Sequence, residues 1–286
     1  MISQILGGVM LAYLAAGFLF LAAILWSSPR LKSLALGLLG GALAAHTLAF
    51  FARWVDSYLQ AAAVTPPADF WAKLQLIVYQ VPLSNFYESL VFFSWCVACL
   101  ALIFLHRYAE GFLGVVGGLL AALVLAYASL GVDSRIKPLM PALKSNWLLV
   151  HVITCFFGYA AFGLAFGAAI LYLFKSFTDR SPATHQALLD RLLYRAAVIG
   201  FIFLTLGILT GAVWAETAWG RYWSWDPKET ASLITWLIYA ALLHARLVQG
   251  WQGRPIAWLA VAGFGAVLFT YLGVSFLLPG LHSYLS

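Results

Sequence analysis

The 286-residue chain is 64% hydrophobic, with a mean hydropathy of +0.93 and 9% charged residues, against roughly 25% charged in soluble proteins. That composition excludes a soluble globular domain and leaves an all-α membrane protein, because several apolar runs exceed the roughly 20 residues that cross hydrocarbon. The net charge of +6 is scattered over short loops, which excludes a nucleic-acid surface, and three cysteines give no disulfide framework.

Hydropathy predicts a polytopic bundle of about eight spans, near residues 5–26, 32–51, 86–105, 112–130, 147–174, 196–215, 231–248 and 256–278. Met1 to Trp26 lacks the basic start and small-residue cleavage site of a secretory signal, so it reads as a retained first span. Between the second and third spans, Ala52 to Asn85 forms the longest connection, broken at Thr65-Pro66-Pro67, with a short interfacial helix expected over Phe70 to Tyr79. GxxxG spacings at Gly37/Gly41, Gly114/Gly118, Gly163/Gly167 and Gly207/Gly211 suit close helix approach. No soluble segment is long enough to fold alone, so residues 1–286 read as a single membrane domain.

An even number of spans puts both termini on one side. With the termini outside, the inner loops hold nine Lys/Arg and the outer segments seven, of the 16 in the chain. That bias, carried mainly by the 175–195 loop, places the termini and the loop near 216–230 on the outer side.

This loop is the most informative segment. Trp219, Tyr222, Trp223 and Trp225 put four aromatic rings within seven residues, next to Arg221, Asp226, Lys228 and Glu229. Aromatic belts line membrane interfaces, but a belt does not require rings so dense. A surface for a large flat apolar ligand with charged edges does, and haem fits that description. Asp226-Pro227-Lys228-Glu229 also reads as a helix start: aspartate as N-cap, proline at the first helical position and glutamate at the third. Arg221 and Lys228 suit either haem propionates or lipid phosphates.

The histidines sort by depth. His151 lies about one turn into the fifth span and His282 just after the eighth, both at the level of the aromatic loop. Two histidines flanking an aromatic platform suit bis-imidazole ligation of haem iron. His244 lies deep in the seventh span, roughly 20 Å from its outer end at 1.5 Å per residue. A polar group at that depth is a functional-site candidate or a helix–helix hydrogen bond. His46 in the second span sits on the order of 10 Å nearer the outside, a poor counterpart for His244, whose opposing ligand would then come from another chain. Cys96-Val97-Ala98-Cys99 is followed by Leu100 and not His, so the haem-attachment pattern is absent and the cysteines read as packing residues.

The aromatic loop, its flanking histidines and Val81-Pro82-Leu83-Ser84-Asn85-Phe86-Tyr87-Glu88-Ser89 together resemble the haem-handling cytochrome c assembly proteins, in particular the CcsA/ResC type. The loop resembles the WWD motif of that superfamily. The resemblance, which runs from about residue 40 to the C-terminus, implies that His151 and His282 ligate haem at the external loop. It implies that His244 is the embedded histidine, opposed by a ligand from a CcsB/ResB-type membrane subunit. It further implies haem b as cargo or substrate, an apocytochrome c as acceptor, and the haem-handling role in a cytochrome c haem lyase. The membrane would be bacterial plasma or thylakoid, with the loop and termini on the periplasmic or lumenal side. Relatives often carry histidine where Gln80 stands here. A b-type electron-transfer subunit is the alternative, but it would place paired histidines opposite each other within spans.

Overall fold

Proline and small polar caps start the helices where apolar runs begin. In the computed structural model, which describes residues 2–137, 139–178 and 183–278, every regular element is helical. The long helices are α1 (Ile2–Leu25), α2 (Pro29–Val64), α4 (Phe86–Tyr108), α5 (Gly111–Gly131), α6 (Asn146–Thr178), α7 (Ala183–Trp219), α8 (Pro227–Leu247) and α9 (Arg254–Leu268). A short α3 (Phe70–Tyr79) follows α2, and α9 continues through a π turn (Phe269–Gly273) into α10 (Val274–Leu277). Eight helices are long and apolar enough to cross a membrane, counting α9 to α10 as one. The chain is therefore an integral membrane protein, as its composition requires.

The described residues cluster into two compact units. Among those residues, the first comprises 2–152 with Thr217–Gly220, and the second comprises Ile153–Glu216 and 221–278.

In the first unit α1 packs between α2 and α5, and α4 packs along α5. The Gly114/Gly118 spacing makes that approach possible. A Cβ on Gly118 would meet the Tyr13 carbonyl and the Gly17 nitrogen, both at 2.9 Å, and one on Gly114 would enter the Phe20 ring. The Gly37/Gly41 spacing does not act this way, for nothing lies within 4 Å of either position.

α2 has 36 residues, about 54 Å at 1.5 Å per residue, well beyond a hydrocarbon core of about 30 Å. It thus continues through the start of the predicted connection and stops at Thr65, whose successor Pro66 disfavours further helix. The extension is held by α3 and the segment after it: Trp54 Nε1 donates to the Ile77 carbonyl at 2.7 Å, and Ser57 Oγ to Gln80 Oε1 at 2.7 Å. A buried ion pair completes this end. Arg53 Nε and Nη2 lie 3.0 and 2.9 Å from Glu88 Oε1, and Nη1 donates to the Ser134 carbonyl at 2.9 Å. The other Glu88 oxygen accepts from the Ser84 amide and hydroxyl, each at 3.1 Å.

In the second unit α6 is the hub. Phe162 stacks on Tyr239 of α8 at 3.5 Å, and Phe166 stacks on Phe264 of α9 at 4.8 Å. Gly200 lets Phe162 reach α7. α7 begins at Ala183, well before the span predicted from residue 196, because its polar first turns are tied down. Asp190 bonds Arg246 Nη2 at 2.6 Å and accepts the Gly253 amide at 2.8 Å, closing the α8–α9 turn.

Candidate functional site

The aromatic loop is organised by one carboxylate. Glu229, at the third position of α8, accepts from the Ser224 amide at 2.8 Å and the Asp226 amide at 3.1 Å, with the Ser224 hydroxyl at 3.2 Å. Asp226 caps the helix in return, accepting from the Lys228 amide at 3.0 Å. The predicted capping box is present, with Pro227 at the first helical position. Both carboxylates are buried, so the charges serve the backbone of the loop, where desolvated N–H groups would otherwise lack acceptors.

That anchoring turns rings outward. Tyr222 is 60% exposed and Trp225 68% exposed, and Arg221 beside them is exposed as well. Trp223 meets Trp225 edge to face at 5.7 Å. Gly220 takes φ +73°, the left-handed bend that ends α7. Trp225 adopts φ +59°, a conformation that costs a bulky L-residue on the order of 1–2 kcal/mol. The strained backbone thus holds the Trp225 ring exposed, between a hydrogen-bonded serine and a buried aspartate. Trp219 is the last residue of α7 and is half-buried.

His151 lies in the second turn of α6 and is half-buried. His282 lies outside the described residues. His244 falls in the last turn of α8, further along than the sequence placed it, because α8 starts at Pro227. Its ring is exposed, so it is no internal helix–helix bridge. His46 is fully buried in the first unit, its Nδ1 3.1 Å from the Tyr13 hydroxyl. His106 lies in the last turn of α4 and bonds the Leu102 carbonyl, and His185 lies 3.0 Å from the Lys175 ammonium.

Two features escaped sequence reasoning. One is the Arg53–Glu88 pair, whose members stand 35 positions apart. Lys228, which by residue type suits propionate or lipid phosphate, is partly buried and donates to Ser275 Oγ at 3.1 Å, a partner 47 positions away.

The family described as cytochrome C assembly protein matches residues 83–282. The chain is 44% identical over 213 residues to the cytochrome c biogenesis protein CcsA of Chlamydomonas reinhardtii, covering 71% of this chain and 60% of that protein. It is 38% identical over 284 residues to the CcsA of Chlorella vulgaris, covering 86% and 84%, and 39% identical over 265 residues to that of Synechococcus sp. (strain JA-3-3Ab), covering 71% and 77%. The chain thus spans about three fifths of the length of the first of these relatives. Among solved structures, the Cytochrome c Heme Lyase CcmF shares the fold, with a TM-score of 0.67 at 21% identity over 95% of this chain and 46% of that one. The chain belongs to the cytochrome c assembly family and is of its CcsA type.

Proposed function

We propose that, within c-type cytochrome maturation, the chain presents haem b as cargo at an external site and supports its attachment to the CxxCH segment of an apocytochrome c. His151 and His282 ligate the iron. Trp219, Tyr222, Trp223 and Trp225 pack against the porphyrin, and Arg221 faces its charged edge. Asp226 acts through the fold of the loop. The observation that carries this reading is the Glu229-anchored loop, which spends two buried carboxylates on its own backbone and holds Tyr222 and Trp225 exposed.

Two imidazoles fill the axial positions and limit side reactions of the iron. The incoming histidine of CxxCH displaces one of them and brings both thiols to the vinyl groups. Each S–H adds across a C=C bond, so a C–S bond forms and the hydrogen ends on the neighbouring carbon, with no net oxidation. The rate gain comes from positioning.

His244 is a third, embedded haem ligand, apart from the external pair. Its exposure at the end of α8 supports a counterpart from a CcsB/ResB-type subunit in the same membrane. Residues 1–286 act as one membrane domain with the loop and termini on the periplasmic or lumenal side. The test is production of holocytochrome c from the chain co-expressed with a CcsB-type subunit and an apocytochrome. His151→Ala and His282→Ala each lower the yield at least tenfold under this reading. Undiminished yield in both variants would refute it.

A further inference from the structure

Lys228 stands at the second position of α8, where the helix dipole disfavours a cation. It therefore does not serve the helix. An interfacial lysine ordinarily extends its ammonium toward water and headgroups, yet this one is partly buried and points to Ser275 Oγ on α10. Among the described residues it forms no ion pair; Asp226 contributes to its field while accepting the Lys228 amide. A serine hydroxyl cannot neutralise a desolvated ammonium, and buried charges are ordinarily paired.

The surroundings suit an amphiphile with an acidic edge. Ser275 follows the π turn Phe269–Gly273, and its hydroxyl also donates to the Tyr271 carbonyl at 2.9 Å. Such turns recur at functional sites because they re-aim side chains. Tyr271, whose carbonyl accepts from Ser275, meets Phe156 edge to face at 5.3 Å and lies 6.3 Å from Tyr159, so α6 and the π turn share an aromatic cluster. Cys155, whose thiol abuts Gly207, also lies within electrostatic reach of the ammonium. Along α6, Cys155 follows His151 by one helical turn and shares its face.

We propose that Lys228, steadied by Ser275, is the anchor for a carboxylate of the bound porphyrin, and that it distinguishes the propionate form from uncharged analogues. This inference rests on haem being the ligand. A lipid phosphate would offer Lys228 similar chemistry, so the test separates the two.

The purified full chain in detergent is titrated with ferric protoporphyrin IX and with its dimethyl ester, followed by the Soret band. The unmutated chain binds the diacid about tenfold or more tighter than the ester, the range of one buried charged hydrogen bond. Lys228→Met abolishes that preference while binding the ester as before, and Lys228→Arg retains it. A preference that survives in Lys228→Met overturns the inference, as does equal loss of both ligands. So does loss of co-purified phosphatidylglycerol by native mass spectrometry with the porphyrin preference intact, which would assign Lys228 to lipid. Failure of the unmutated chain to give a six-coordinate spectrum with either porphyrin would instead remove the haem reading itself, and this inference with it.

Discussion

Two ion pairs in the first unit show how burial decides what a charge is worth. Arg53 and Glu88 are both nearly fully buried and share three further hydrogen bonds. Removing one partner strands the other, at a cost of about 3–5 kcal/mol. Glu88→Ala is therefore expected to lower the thermal midpoint in detergent sharply. Asp133 and Arg135 are equally close at 3.0 Å but exposed. The Arg135 side chain, hydrogen-bonded to Asp133, holds the carboxyl at about 2 against an ordinary 3.8. A depressed carboxylate contributes only above its unfolded value, so whatever this pair adds is complete above pH 3.8 and lost as pH falls toward 2. Solvent screening keeps it small, and Asp133→Asn is expected to leave the midpoint at neutral pH unchanged. Trp225 gives a third case. Glycine relieves its left-handed backbone, so Trp225→Gly leaves the midpoint equal or higher while weakening haem binding. Weaker stability with intact binding would mean that the ring is held for packing.

Among the elements, α1 and α5 meet through backbone at Gly118, where any side chain collides with fixed atoms of Tyr13 and Gly17. Gly118→Leu is expected to abolish accumulation of the folded protein, whereas Gly37→Leu, facing open space, is tolerated; fluorescence size-exclusion profiles of both variants check this. The identical GxxxG pattern thus carries opposite consequences at two places, and only the neighbour distinguishes them. Much else was legible locally. α3 matches the expected Phe70 to Tyr79 because Asp69 caps it, and the start of α8 was written in Asp226-Pro227-Lys228-Glu229. The extension of α2 was not, since Arg53, Asp56, Ser57 and Gln60 lower its hydropathy below that of a span. Arg53, Trp54 and Ser57 in that extension are held by Ile77, Gln80, Glu88 and Ser134, all distant in sequence. α7 was cut short for the same reason, because Asp190 finds its partners in Arg246 and Gly253. The histidine candidates were visible as residue types at given depths. The exposure of His244 and the contact of Lys228 with Ser275 are tertiary facts.

On the scale of the whole molecule, the matched region 83–282 runs through both units and includes the aromatic loop and every proposed iron ligand. The proposed sidedness has a direct check. Glu216 and Gln252 are both exposed, at the loop end of α7 and in the α8–α9 turn. In intact cells or right-side-out vesicles an impermeant maleimide should label Glu216→Cys and spare Gln252→Cys; the reverse would invert the assigned orientation. The central claim, that the chain itself supplies both axial ligands at the external loop, is tested most directly by the absorption and electron paramagnetic resonance spectra of the purified protein. A low-spin bis-imidazole signature that disappears in both His151→Ala and His282→Ala, and returns with added imidazole, is the predicted result. The same signature persisting in either variant would contradict the account.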